Sequence, residues 1–501
     1  MTKGGEAQND NGRRKMAGGK KPGMAMRKAE WENFILLYHR SHREQRDFLA
    51  GWGLWWYNSV YSTEGGRNMA DIGLPWYKMD NASVMYSSLQ KEEYSAIYRF
   101  SAYMDEEVDP EALQRALEPV LRRFPGFAMR IRKGLFWYYF EPNTAPGPFV
   151  KKDLAEPCRP MRFNEDGCWL IRLYYFRRRI SLEVFHALAD GAGALCFFRA
   201  LLAQYLRERG LAIPVEEGLP GLSAEPEREE WEDAYSRYAG EKTRPQPLVR
   251  RAYLNIGTAE PFYTFNVTMG FVPVDRLLQR ARELGVSVTE YLCAVLLKVL
   301  MDKQKRERPI RERPVALAVP VNLRAFFPTK TLRNFILTVQ PWIDPAIGPY
   351  RFEEIAELVH HYMKIHCSPQ EMRAAFTKNV RLQNNRFLQL IPRLLKNPIM
   401  ALSYRTRGLR PYSAILTNPG RFAVGPEMEK HIEHMEVIQG QATVPRPHLA
   451  AISYGNTMEI TFSGTQRETE TEREFFRFLV RDGIPVRIES NRRGAGREES
   501  E

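Results

Sequence analysis

The sequence predicts an α/β protein with two cores, and three observations lead there. The chain has 501 residues, more than one domain usually holds, so its apolar residues are expected to gather in two cores rather than one. Its composition, 44% hydrophobic and 27% charged, is ordinary for a globular chain in water. Each half also carries an alternating strand followed by an amphipathic helix. In the first half these are Ile180 to Phe185, then Leu195, Phe198, Leu202 and Tyr205 at helical spacing. In the second they are Tyr263 to Val272, then Asp275 to Leu284.

Taken in order, residues 1–30 carry eight Lys or Arg against three acids in a Gly-, Lys- and Met-rich stretch, which predicts a disordered basic tail. Residues 31–69 form an extension around Phe48-Leu-Ala-Gly-Trp-Gly-Leu-Trp-Trp-Tyr57, with Arg40, Arg43 and Arg46 nearby. Such a segment suits either packing or a membrane interface. The N-terminal lobe is expected over 70–213. Within it Asp109 suits an N-cap and Pro110 a first turn. Leu113, Leu117, Val120, Leu121 and Phe124 share one helical face, and Pro125 ends it. Prolines and charges mark 214–260 as a linker. The C-terminal lobe follows over 261–490. There Ser287 and Glu290 have capping-box spacing ahead of Tyr291-Leu-Cys-Ala-Val-Leu-Leu-Lys-Val-Leu-Met301, a run too short to span a bilayer and read as a buried helix. Residues 491–501 are expected to be a frayed, disordered tail.

The chemistry concentrates at Ile180-Ser-Leu-Glu-Val-Phe-His-Ala-Leu-Ala-Asp-Gly-Ala-Gly-Ala-Leu195. His186 closes the strand, Gly191 and Gly193 relax the backbone through a turn, and a helix follows. An imidazole titrates closest to neutrality, so at such a turn it can take a proton from a hydroxyl or amine. Asp190 at a tight strand-to-helix turn is expected to hold a cation or backbone donors and so fix the loop. A structural histidine at a strand end is the competing reading.

His-x-x-x-Asp-Gly between an apolar strand and an amphipathic helix resembles the signature of the chloramphenicol acetyltransferase-like superfamily, which includes the condensation domains of nonribosomal peptide synthetases and, most similar to this chain, the bacterial alcohol acetyltransferases. Many condensation domains carry two adjacent histidines. Here Phe185 precedes His186, and the second histidine carries the chemistry in that family. Tyr98-Arg-Phe-Ser-Ala-Tyr103, Val108-Asp-Pro-Glu-Ala-Leu113 and Leu121-Arg-Arg-Phe-Pro-Gly-Phe127 resemble the family's opening strand and first helix. Pro320-Val-Asn-Leu-Arg324, Thr331-Leu-Arg-Asn-Phe335, Thr417-Asn-Pro-Gly420 and Ser453-Tyr-Gly455 resemble elements of its second lobe.

The resemblance implies two chloramphenicol acetyltransferase-like lobes, each a mixed sheet flanked by helices, forming a pseudo-dimer with a central tunnel. It implies direct acyl transfer from acyl-CoA, as co-substrate, to a small or lipidic alcohol, with His186 as general base and no bound cofactor. Asp190 and Gly191 would be structural, Asp190 paired with Arg123 or alternatively Arg130. Asn334, Asn418 and Ser453 would be tunnel or oxyanion candidates, each equally readable as a turn or capping residue. An acyl carrier protein as donor partner and a non-catalytic binding protein are the competing functions.

Other classes find less support. Five scattered cysteines, Cys158, Cys168, Cys196, Cys293 and Cys367, form no Cys-x-x-Cys pair, which argues against a zinc site or disulfide framework and fits a reducing cytoplasm. No metal is expected. His360, His361 and His366 read as a surface helix, and no Gly-x-Ser-x-Gly elbow is present. The net charge of +13 suits CoA phosphates, an acidic carrier or anionic lipid, while no nucleic-acid-binding signature accompanies it. A cytoplasmic monomer is expected, with peripheral membrane contact as an alternative.

Overall fold

The computed structural model describes residues 76–492, apart from 91–94, 154–155, 216–220, 242–250, 262–263, 404–410, 442–445 and 447. The expected tail 1–30 and extension 31–69 lie outside the described residues, as do 493–501 of the expected C-terminal tail.

The described chain opens with β1 (Tyr77–Lys78), α1 (Asn81–Leu89), β2 (Ile97–Met104) and α2 (Pro110–Arg123). β3 (Met129–Lys133), β4 (Tyr138–Pro142), β5 (Val150–Lys152), β6 (Ile171–Phe176), β7 (Arg179–Phe185) and α3 (Gly191–Glu208) follow. Asp109 caps α2 by accepting from the Glu111 and Ala112 amides at 2.9 and 3.1 Å, with Pro110 in the first turn. Leu113, Leu117, Val120 and Phe124 are buried as their spacing predicts. α3 is capped by Asp190. Gly191 and Gly193 already belong to this helix, so they start it rather than forming a separate turn.

The second half runs α4 (Ala234–Tyr238), β8 (Asn266–Pro273), α5 (Val274–Glu283), α6 (Val288–Glu307), β9 (Val315–Asn322), β10 (Ile336–Val339), β11 (Trp342–Ile343) and α7 (Phe352–His366). It continues through α8 (Pro369–Gln383), α9 (Arg386–Gln389), α10 (Arg393–Ser403), β12 (Ala414–Thr417), α11 (Pro426–Glu429) and β13 (Ile432–Gln439). It ends with β14 (His448–Tyr454), β15 (Thr457–Gly464), α12 (Glu470–Arg481) and β16 (Arg487–Ser490). The Ser287–Glu290 capping box is formed, and the apolar run Tyr291–Met301 lies buried in the second core among β9, α7 and α12. Among the described residues no single helix is long and apolar enough to cross a membrane.

A mixed sheet in the order β10-β9-β12-β14-β15-β8-β16, with β11 also on β9, organises the second half. β12 runs parallel to both β9 and β14, and the remaining pairs are antiparallel. The first half has a small sheet, β1-β4-β3, and a larger one, β13-β2-β7-β6-β5. β13, from within the segment assigned to the C-terminal lobe, pairs antiparallel with β2 through Ile438↔Arg99 and Glu436↔Ser101. The connection between the parallel strands β12 and β14 is thus used to place a strand in the other sheet, and the division at 260 separates the chain but not the sheets.

Two further expectations change. Within 214–260, residues 229–235 and 252–255 are packed structure, while 223–228 are exposed. Trp231 lies against Phe127, and the Tyr235 hydroxyl donates to the Ile336 carbonyl at 2.6 Å while accepting from the Ile336 amide at 2.9 Å. Buried aromatic rings and satisfied backbone groups anchor what its prolines and charges suggested was a spacer. Asn491 and Arg492 are likewise held rather than frayed. Asn491 bonds the Val267 amide at 2.8 Å and Arg492 pairs with Glu472 at 2.9 Å.

Candidate active site

β7 ends at Phe185, and the His186 amide extends its pairing with β2's leading edge by donating to the Ala96 carbonyl at 2.7 Å. The ring is then fixed on three sides. Tyr86, from α1, stacks on it with centroids 4.3 Å apart and planes 20° apart. Tyr98, from β2, meets it edge-on at 5.0 Å, and its hydroxyl lies within hydrogen-bonding range of the Ala189 and Asp190 carbonyls at 2.9 and 3.0 Å. Asn334 supplies the third contact, its Oδ1 lying 3.1 Å from the histidine Nδ1.

Asn334 also sets the tautomer. Its Nδ2 donates to the carbonyls of His186 and Ala187 at 2.9 and 3.4 Å, so the amide oxygen must face the ring. An oxygen can only accept there, so Nδ1 carries the hydrogen and Nε2 keeps its lone pair. Nε2 makes no hydrogen bond among the described residues. Burial pulls the imidazole below its ordinary pKa, outweighing the upward pull of Asp190 and Asn334. The neutral ring with a basic Nε2 is therefore the resting form at neutral pH.

Asp190 is fully buried and uses both oxygens. Oδ1 accepts from the Gly193 amide at 3.0 Å, the N-cap bond of α3. Oδ2 accepts from Arg324 at 2.7 Å and from the Phe335 amide at 2.8 Å. Arg324 in turn spends all five N–H groups, on Asp190, the Asn322 side chain, the Arg333 carbonyl and, twice, the Thr331 carbonyl. Such a saturated guanidinium makes the segment 331–335 a rigid partner for the histidine loop.

That segment clamps three elements with three successive residues. Arg333 reaches Asp80, the N-cap of α1, at 2.9 Å. Asn334 holds His186, and Phe335 holds Asp190 through its amide. Ser83 closes the ring, its hydroxyl lying within hydrogen-bonding range of the Asp80 carboxylate and the Ala187 carbonyl at 2.7 and 2.6 Å. Close approach explains one glycine. A Cβ on Gly193 would lie 2.0 Å from the Leu332 carbonyl oxygen, whereas one on Gly191 would meet only Phe100 and Pro419 at ordinary contact distances.

The structure corrects the expected partner of Asp190. Arg123 does not reach it. Arg123 forms a buried bidentate pair with Glu230 at 2.8 and 2.6 Å, because the packed segment around Trp231 brings that carboxylate to the end of α2. Arg130 binds Glu141 instead. Asn334 does lie at the site, but both its N–H groups are used on loop carbonyls, which makes it the residue that orients His186 and not an oxyanion donor. Asn418 is a turn residue, donating to Thr289 at 3.0 Å and accepting from the Gly420 amide at 2.9 Å. Ser453 bonds the same turn through its backbone, to Gly420 and Phe422. His360, grouped with the surface histidines, contacts Glu290 at 3.2 Å. Among the described residues no cluster of three metal-ligating side chains gathers.

Sequence reading missed four residues of the site. Arg324 had a signal, since it ends a stretch already singled out. Tyr98 stood in a recognised strand. Arg333 likewise stood inside the quoted Thr331–Phe335 stretch, whereas Tyr86 carried no signal, because only the folded chain brings α1 against His186.

No protein-family model and no curated protein sequence matches the chain. Solved structures do match it in fold. The first condensation domain of the calcium-dependent antibiotic synthetase, solved with a substrate analogue, is 15% identical, with a TM-score of 0.53 over 82% of this chain and 99% of that one. Trichothecene 15-O-acetyltransferase TRI3 from Fusarium sporotrichioides is 10% identical, with a TM-score of 0.52 over 84% and 98%. TRI101 of F. sporotrichioides, complexed with coenzyme A and T-2, is 11% identical, with a TM-score of 0.52 over 82% and 99%. The chain thus has the fold of that condensation domain, of TRI3 and of TRI101.

Proposed function

We propose that this chain, built on that fold, is an acyltransferase that moves an acyl group from acyl-CoA to an alcohol. The observation that carries the proposal is the orientation of His186, whose Nδ1–H is tied to Asn334 and whose Nε2 is left basic, with no hydrogen-bond partner among the described residues. A base of this kind removes the proton of an alcohol as its oxygen attacks the thioester carbonyl. The carbon–oxygen bond forms, the carbon–sulfur bond breaks, and the proton held on Nε2 passes to the departing thiolate. Donor and acceptor meet directly, so no acyl-enzyme nucleophile is required. Support for CoA as donor comes from the coenzyme A bound to TRI101 and from the basic chain, with net charge +13.

The test is thiol release from acetyl-, butyryl- and long-chain acyl-CoA in the presence of a panel of alcohols and amines, for the natural protein and His186→Ala. The expected result is turnover that falls by about 10²- to 10⁴-fold in the variant while thermal unfolding is unchanged. Equal turnover by the variant would refute the role of His186. Silence with every CoA donor, combined with activity toward a carrier-bound thioester, would reassign the donor.

A further inference from the structure

The helix α10 (Arg393–Ser403) is turned inside out. Leu394, Leu395, Ile399 and Leu402 share one face and are between 62% and 73% exposed, and in the preceding turn Phe387 is 84% and Leu390 70% exposed. The polar residues of α10 point the other way, into the protein. Arg393 donates to the Gly134 carbonyl at 3.1 Å, Lys396 to the Phe136 carbonyl at 3.0 Å, and Asn397 to the Tyr138 hydroxyl at 3.0 Å. A surface helix of a water-soluble protein is ordinarily arranged the opposite way, and a contiguous apolar face held outward marks an interaction surface.

Two further observations say what covers it. Between Glu371 and Glu427 the sequence carries eight Lys or Arg besides the inward-bonded Arg393 and Lys396, and no Asp or Glu, so the apolar face lies within a cationic stretch. The tip of the β3–β4 hairpin, on which α10 is bonded, presents Leu135 and Trp137, 55% and 40% exposed. Aliphatic side chains, an interfacial tryptophan and cations without acids match the apolar interior, the headgroup boundary and the negative charge of an anionic lipid surface. A nucleic acid would leave the leucines unused.

We propose that α9, α10 and the β3–β4 tip dock this protein on an anionic lipid bilayer. The face is also placed to serve the site. α10 packs on α1, and Tyr86 of α1 stacks on His186. Resting on the acyl-transfer reading, the arrangement names a membrane-dissolved alcohol as the acceptor, delivered from the α10 side.

Vesicle flotation of the purified full chain tests the docking. Vesicles of phosphatidylcholine alone are compared with vesicles containing about 30% phosphatidylglycerol. The full chain is expected to float with the anionic vesicles and to be released at about 0.5 M salt. The triple variant Phe387→Ser/Leu394→Ser/Ile399→Ser is expected to lose at least about tenfold in partitioning, with unchanged unfolding temperature and unchanged turnover of a water-soluble alcohol. Should that variant fold poorly, Leu395→Gln/Leu402→Gln gives the same reading on the same face. Absence of flotation by the natural protein overturns the proposal, as does flotation that the variants leave intact, which would place lipid binding elsewhere in the chain. A dimer broken by the variants without change in flotation assigns the face to a second copy and also overturns it. Failure of acyl transfer with soluble alcohols bears on the catalytic reading alone.

Discussion

Among the arginine–carboxylate pairs of the described residues, Arg123–Glu230 and Arg324–Asp190 differ in what depends on them. Arg123–Glu230 is bidentate, with contacts of 2.8 and 2.6 Å, and ties the end of α2 to the packed segment around Trp231. Arg324–Asp190 has a single contact of 2.7 Å, yet the same carboxylate, four residues after His186, caps α3 and holds the Phe335 amide. The first pair joins two pieces of structure. The second sits at a junction of helix cap, His186 loop and clamp, so its electrostatics and the orientation of the imidazole are inseparable. The better pair by geometry is therefore not the one beside the proposed base.

Removing one partner from each pair separates the two roles. Asp190→Ala and Arg123→Met are both expected to lower the unfolding free energy by about 3–5 kcal/mol, read by denaturant titration, since the first strips Arg324 and the Gly193 and Phe335 amides of a shared acceptor and the second leaves the Glu230 carboxylate buried without its cation. Only Asp190→Ala should also depress kcat/KM measured on the fraction that remains folded. Replacing both partners separates them further. Arg123→Met/Glu230→Leu is expected to recover most of the loss, as apolar replacements of buried ion pairs often do. Arg324→Met/Asp190→Leu should not, because the Gly193 and Phe335 amides still lose their acceptor.

Smaller effects follow from the neighbouring residues. Gly193→Ala must push back the Leu332 carbonyl and is expected to cost about 1–3 kcal/mol, whereas Gly191→Ala should change thermal unfolding little. Asn334→Ala frees the histidine to take either tautomer. A fall of about tenfold or more in kcat is expected, with intact folding and no comparable effect from Asn418→Ala. The finest test is pH. Because burial lowers the His186 pKa, the ring is neutral and competent across neutral pH. The rate should hold steady there and fall on acidification only through an apparent pKa below about 6.5. An acid limb above that value would contradict the enclosed, Asn334-bound ring.

The parts of this account that were legible in sequence share a physical cause. Each rests on residues close in the chain. The Asp109 and Ser287 caps, the buried run Tyr291–Met301 and the His186 strand–loop–helix all follow from local hydrogen-bonding and periodicity, and the structure contains them. The pairing of Asp190 did not follow. Any of several arginines satisfies a buried carboxylate on paper, and the choice of Arg324 over Arg123 depends on where Glu230 and the 331–335 segment come to rest. The prolines of 214–260 read as a linker because composition reports nothing of Trp231 and Tyr235 finding partners more than a hundred residues away.

By itself the sequence determined that the chain is α/β, that His186 ends a strand, that Asp190 starts a helix, and that the motif resembles acyl-transfer enzymes. Only the tertiary structure decided which way the imidazole faces, which arginine neutralises Asp190, that β13 joins the other sheet, and that α10 turns its leucines to solvent. Local patterns fix local geometry because backbone hydrogen bonds and side-chain periodicity act within a few residues. Partner choice is settled by which buried polar groups must satisfy one another once distant segments have packed.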